Sequence, residues 1–151
     1  MKSFLERAGV EYRLVEVPRA STSREAAENL GIELSRIAKT VVLVSEQGKA
    51  FLVVVRGDRR VDQAKLARLL GCKKLRLATD SEVIEATGYP PGGVPPVGHL
   101  RKLPVYLDEE LLGGYYYVGG GDSQHLLFIK AEDILKLAEA TVLNVPKKEH
   151  T

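Results

Sequence analysis

Thr40-Val41-Val42-Leu43-Val44-Ser45, then Glu46-Gln47-Gly48-Lys49, then Ala50-Phe51-Leu52-Val53-Val54-Val55-Arg56, is the stretch on which the fold class turns. Two apolar runs flank a short polar segment containing glycine, the pattern of a β-hairpin. Neither run alternates strictly between apolar and polar residues. Such strands are covered on both faces, so other elements must pack on each side. On the N-terminal side the spacing predicts a helix near Lys2–Ala8 ending at Gly9, and a strand over Tyr12–Val17 closed by Pro18. Thr22-Ser23-Arg24-Glu25 fits a capping box. The helix it opens runs to Leu30 and stops at Gly31, and a turn over Leu34–Ala38 leads into Lys39.

On the C-terminal side, helical spacing covers Val61–Leu70 up to Gly71, and Leu75–Ala78 reads as a short strand. Thr79-Asp80-Ser81-Glu82 is a second capping box, opening a helix to Thr87 that Gly88 closes. Further on come a strand at Pro104–Leu107, a short helix at Asp108–Leu112 and strands at Tyr115–Val118 and Leu126–Ile129. A helix at Ala131–Ala140 and a last strand at Thr141–Val145 follow, and the polar tail 146–151 is expected to fray. The sum is about five or six helices and seven or eight strands in one α/β domain of the α+β kind, residues 1–151, with no linker.

Composition narrows the function classes. The 151 residues are 44% hydrophobic and 28% charged, ordinary for a globular chain. Cys72 is the only cysteine, which excludes an internal disulfide and a cysteine zinc cluster. Packed against a helix end, it reads as a small buried hydrophobe. His99, His125 and His150 are too far apart for a zinc-binding His pair. No apolar run approaches a membrane span of about 20 residues, and the N-terminus lacks a signal-peptide core. A cytoplasmic location is the expectation. Net charge is +2, but Arg56–Arg76 holds eight basic residues against Asp58 and Asp62. That local +6 suits either a solvated helix face or one polyanionic partner.

Two loops could hold chemistry. Gly88-Tyr89-Pro90-Pro91-Gly92-Gly93-Val94-Pro95-Pro96-Val97-Gly98-His99 has four glycines and four prolines in twelve residues. Proline stiffens it, and glycine permits unusual dihedrals. Gly119-Gly120-Gly121 precedes Asp122-Ser123-Gln124-His125. Neither loop is a P-loop or a dinucleotide fingerprint. Both read either as tight corners of a curved sheet or as backbone donors for an anion or oxyanion. Lys39, at the mouth of an apolar strand, either snorkels to solvent or offers a partly desolvated ammonium to an anionic ligand. His125 reads as a structural histidine or as a general base. His99 reads as a hydrogen bonder that fixes its loop. Tyr115-Tyr116-Tyr117 alternates in a strand, so the three rings cannot share one face.

Thr22–Glu28, Ile37-Ala38-Lys39-Thr40-Val41-Val42-Leu43, Thr87–His99 and Gly119–His125 together resemble the YbaK family. This family includes free-standing relatives of the editing domain of bacterial prolyl-tRNA synthetase. The resemblance implies a mixed, curved, barrel-like sheet surrounded by helices. It implies hydrolysis of a small amino acid such as Ala, Ser, Thr or Cys wrongly esterified to a tRNA, tRNA-Pro among the candidates, without cofactor or metal. Lys39 falls on the family's essential lysine and is the implied catalytic residue, with His125 as its companion. The implied substrate-binding set is Thr22, Thr40, Gly92, Gly93, Val94, Pro96, Gly98, Gly120 and Gly121. Arg56, Arg59, Arg60, Lys73 and Lys74 are the expected tRNA-binding cations. The expected partners are the acceptor end of an aminoacylated tRNA and an aminoacyl-tRNA synthetase, with neither membrane nor DNA. The alternatives are a non-catalytic module binding RNA or a synthetase, and a nucleotide binder using the glycine loops.

Overall fold

The computed structural model describes residues 5–6, 9–20, 22–99 and 101–148. The helix expected at Lys2–Ala8 falls largely outside them, as does His150. Within them the hairpin is formed by β2 (Ala38–Ser45) and β3 (Ala50–Arg56), antiparallel from Ala38 opposite Arg56 to Val44 opposite Ala50. It is the middle of a five-stranded sheet. β4 (Leu75–Leu77) lies antiparallel to β2, β5 (Val105–Asp108) parallel to β3, and β8 (Thr141–Leu143) parallel to β5. A second, antiparallel sheet places β7 (His125–Lys130) between β1 (Arg13–Glu16) and β6 (Tyr115–Gly119). A single parallel bridge from Ile37 to Tyr117 joins the two sheets at the entry to β2.

Both faces of the hairpin are buried, which is why its apolar runs are continuous. Val42, Leu52 and Val54 face one cluster with Val83, Leu107, Leu127 and Ile134, whereas Leu43, Val53 and Val55 face another with Leu66 and Leu75. Four α-helices are described: α1 (Ser23–Leu30), α2 (Gln63–Leu70), α3 (Asp80–Thr87) and α4 (Ala131–Leu137). α2 covers the second face through Leu66 and Ala67, while α3 and α4 cover the first through Val83 and Ile134. α1 seals the smaller sheet with Ala26 and Ala27 against Val17, Ile37 and Leu126.

Helix ends follow the capping chemistry, with two corrections. Around α3 the full capping box is present between Thr79 and Glu82, and Gly88 closes it in the left-handed region at φ 79°. At α1, Thr22 Oγ1 accepts from the Glu25 N–H, but the Glu25 carboxylate accepts from the Thr22 hydroxyl rather than from the cap N–H. α2 begins later than the apolar spacing suggests. Asp62 is its cap, accepting from the Lys65 N–H, and Val61 instead pairs with Lys147. The turn expected at Leu34–Ala38 is a 3-10 turn over Leu34–Arg36, and the short helix expected at Asp108–Leu112 is likewise a single 3-10 turn, Glu109–Leu111.

The tail departs most from expectation. Pro146 O accepts from the Asp62 N–H at 2.9 Å, and the Lys148 N–H donates to Arg60 O at 2.8 Å. The Lys147 ammonium lies 2.7 Å from Asp108, whose carboxylate is fully buried and also accepts from the Val145 N–H. A buried carboxylate needs a partner, and Lys147 is its cation. Pro146–Lys148 is therefore fastened to the body; residues 149–151 are outside the described set. Lys147→Met should lower stability by about 3 kcal/mol by leaving Asp108 buried without its cation, read from the shift in a urea midpoint.

Candidate functional site

A cavity of about 450 Å³ lies where the two sheets join. The start of β2 contributes Ile37, Ala38, Lys39 and Thr40, and the 3-10 turn before it Leu34. The N-terminus of α1 contributes Thr22, Ser23, Arg24 and Ala26, with Ala20 preceding them. Gly57 follows β3, Gly92 and Val94 come from the proline–glycine loop, and Val118, Gly119 and Leu126 from the smaller sheet. Among the described residues, no carboxylate is in this lining. Lys39, Arg24 and the positive end of the α1 dipole all favour an anionic or carbonyl-rich ligand.

Lys39 is half-buried. Burial pushes its ammonium below the usual lysine range; Asp58 pulls the other way, and Arg60 reinforces the lowering. Beside it, Thr40 Oγ1 is buried without a hydrogen-bond partner among the described residues. An unsatisfied buried hydroxyl costs about 1–3 kcal/mol. At a cavity wall it is a group that a ligand can satisfy.

The proline–glycine loop is held in three ways. Tyr89 Oη donates to Gly98 O at 2.9 Å, and His99 Nε2 donates to Pro95 O at 2.6 Å. Burial lowers the His99 pKa, with the Pro95 bond opposing, so the ring serves as the expected loop fastener. The third hold is main chain against main chain: the Gly121 N–H donates to Gly93 O at 2.8 Å. A Cβ on Gly93 would meet the Asp122 backbone at 2.5 Å, one on Gly120 would meet His125 O at 2.5 Å, and one on Gly119 would overlap Val94 O. The two readings of these glycines are thus divided between residues. Gly92 and Gly119 line the cavity, Gly93 and Gly119 serve the contact between the loops, and Gly120 packs against His125 at the end of its own loop.

Of the residues singled out from the sequence, Thr22, Lys39, Thr40, Gly92 and Val94 come together in the lining. Gly93, Pro96, Gly98, Gly120 and Gly121 are not among the lining residues. His125 is not in the lining; its neighbour Leu126 is. His125 Nδ1 lies 2.8 Å from Asp122 Oδ1, and this bond holds the Asp122 carboxyl below its usual range. The basic cluster is divided too. Arg56 makes two hydrogen bonds to Asp58, at 2.6 and 2.8 Å, and Arg59 two to Glu110, at 3.0 and 2.9 Å. Arg60, Lys73 and Lys74 are exposed. Sequence reading missed Ser23, Arg24 and Gly57. The signals were available, because Ser23 and Arg24 follow the Thr22 cap and Gly57 ends the hairpin.

Comparison with known proteins gives the family. Residues 17–137 match the family described as the aminoacyl-tRNA editing domain. The chain belongs to that family. It is 32% identical over 139 residues to a proline–tRNA ligase of Stenotrophomonas maltophilia (strain R551-3), covering 88% of this chain and 24% of the ligase. A ligase of Acidithiobacillus ferrooxidans (strain ATCC 53993 / BNL-5-31) is also 32% identical, over 87% of this chain and 23% of the ligase. The chain thus spans about a quarter of these relatives. A solved structure described as a candidate trans-editing enzyme for prolyl tRNA synthetase is 41% identical, with a TM-score of 0.85 over 99% of this chain and 94% of that one. A crystal structure of a hypothetical protein superposes with a TM-score of 0.88 at 33% identity, covering 97% and 98%.

Two consequences are measurable. Gly93→Ala should destabilise by about 2 kcal/mol, because a methyl group has no room against the Asp122 backbone; a denaturant melt checks this. Lys39 acts in the opposite direction. With its pKa lowered in the folded state, the unfolded chain binds more protons at pH values between the lowered folded value and the ordinary one. Stability therefore rises with pH across that window, and at neutral pH the buried charge opposes folding. Lys39→Met should leave the thermal midpoint at pH 7 unchanged or raised. A marked fall would make Lys39 a structural residue instead.

Proposed function

We propose that this protein is an aminoacyl-tRNA deacylase that removes a small, wrongly attached amino acid from the 3′ end of a tRNA, with tRNA-Pro the foremost candidate. The observation that carries the reading is the half-buried Lys39 in a carboxylate-free cavity shared with Gly92 and Val94. Family membership and the likeness to a candidate trans-editing enzyme support it. A location in the cytoplasm and an encounter with prolyl-tRNA synthetase belong to the same proposal.

An ester is already reactive. Its hydrolysis needs positioning and stabilisation of charge that develops on the carbonyl oxygen more than a strong nucleophile. Water adds to the ester carbonyl carbon, and the resulting oxyanion collapses with cleavage of the acyl–oxygen bond. The ribose oxygen takes a proton that water released, leaving a free amino acid and an uncharged tRNA. Lys39 holds the terminal phosphate or ribose end of the substrate. The N-terminus of α1 adds its dipole to the same region, and Thr40 Oγ1 supplies a hydrogen-bonding group to the ligand. Val94, Val118 and Leu126 bound the acyl side and limit its size. His125 lies outside the lining, so the proton is better carried by a substrate hydroxyl or amine than by this ring.

The test is a panel of tRNAs charged with alanine, serine, threonine or cysteine, timed for loss of the ester. Wild-type protein should deacylate at least one of them. Lys39→Ala should abolish that activity while its circular dichroism stays native. Undiminished turnover by the folded variant would show that Lys39 does not hold the substrate.

A further inference from the structure

Resolving the basic segment into ion-paired and unpaired cations exposes a continuous surface feature. Arg56, Arg59 and Arg76 are engaged by Asp58, Glu110 and Glu82. None of the ion pairs among the described residues involves Arg60, Lys65, Arg68, Lys73, Lys74 or Lys148, and all six are exposed. Their order in space follows from the elements. Arg60 sits three residues past Gly57 of the cavity lining and is close enough to Lys39 to lower its pKa. Lys148 is tied beside it through the Lys148 N–H to Arg60 O bond. Lys65 and Arg68 are three apart on α2 and share one helix face, turned away from the buried Leu66 and Ala67. Lys73 and Lys74 follow the end of α2.

α2 has no acidic residue, and the carboxylates of Asp62 at its start and of Glu46 beyond its end accept from main chain: Asp62 caps the helix, and Glu46 accepts the N–H groups of Lys73 and Lys74. The row also has a direction. Ala38, next to Lys39, pairs with Arg56 at one end of β2, while Ser45 pairs with Leu75 at the other, about 23 Å away for an eight-residue strand. The row therefore begins near Lys39 and runs away from it. A bound small anion would use one or two of these cations. Six exposed cations, none of them in an ion pair among the described residues and one of them, Lys73, feeling a nearby carboxylate, that of Glu46, match a ligand whose charges are also in file.

We propose that the outer face of α2, from Arg60, near Lys39, and Lys148 beside it to Lys73 and Lys74 at its far end, is a track for the sugar-phosphate backbone of the RNA whose 3′ end enters the cavity. This rests on the function proposed above, but the two can fail separately. The track neutralises phosphates; it reads no bases and takes no part in ester cleavage.

The test uses the double variant Lys65→Glu/Arg68→Glu and the milder Lys65→Gln/Arg68→Gln, with uncharged tRNA as ligand. Each phosphate no longer neutralised should make the slope of log affinity against log salt shallower by about 0.9. Between 50 and 200 mM salt the wild type should therefore lose about tenfold more affinity than the Gln pair. KM for mischarged tRNA should rise, while hydrolysis of a minimal aminoacyl-adenosine ester stays unchanged. Unaltered tRNA affinity and salt slope in the folded Gln pair would overturn the track, as would a wild type that does not bind tRNA at low salt. A wild type that binds through this face yet cleaves no ester would sink the deacylase reading and leave the track standing.

Discussion

The cavity depends on the contact between two glycine-rich loops that meet main chain to main chain. The Gly121 N–H to Gly93 O bond and the close approach of Gly119 to Val94 bring Gly92 and Val94 against Val118, Gly119 and Leu126. Side chains at Gly93 or Gly119 would force the loops apart. Proline removes alternative conformers of the first loop, and Tyr89 and His99 fasten it to its own carbonyls. A wall built this way positions backbone without relying on flexible side chains, which suits the proposed task of orienting a carbonyl. Glycine-rich does not mean mobile in this wall: the glycines serve proximity.

Much of this was legible in the sequence because its causes are local. Continuous apolar runs on either side of Glu46–Lys49 marked the hairpin, and left-handed glycines at 31, 71 and 88 marked three helix ends. What escaped depends on chain neighbours far apart in sequence. No local pattern announces that β5 and β8 lie parallel beside β3. Charge counting could not find Glu110, 51 residues from Arg59, or Asp108 waiting for Lys147. His125 looked attractive because it follows the glycine loop, yet a strand alternates, and the cavity takes its neighbour Leu126. Tyr115 and Tyr117 both reach Phe128 while Tyr116 joins the opposite core, as alternation requires.

The site runs against the stability of the fold that holds it. A lysine whose pKa is lowered by burial and a threonine hydroxyl without a partner are both unfavourable in the unliganded protein. Both sit at the start of β2, where the bridge from Ile37 to Tyr117 joins the sheets and the strand cannot readily shift to relieve them. The hairpin behind them, buried on both faces, supplies the stability that tolerates this. A ligand that brings an acceptor to the ammonium and a partner to Thr40 would remove both penalties at once, so binding energy is concentrated at the site of the proposed reaction.

The paired arginines then acquire a role that charge counting hides. Arg56–Asp58 flanks Gly57 of the cavity lining, and Arg59–Glu110 holds the chain immediately before Arg60. Glu110 also lies 3.8 Å from Arg56, so the two pairs form one network anchored on the turn after β5. Exposed ion pairs contribute little individually, but a network with two-point arginine contacts has defined geometry. It fixes the path of the chain between β3 and α2, and with it the separation between Lys39 and the first unpaired cation. If the RNA is held along α2 and its ester must meet Lys39, that separation has to be constant. Cations engaged by carboxylates at this turn are therefore better understood as struts that set a distance than as charge withheld from the RNA.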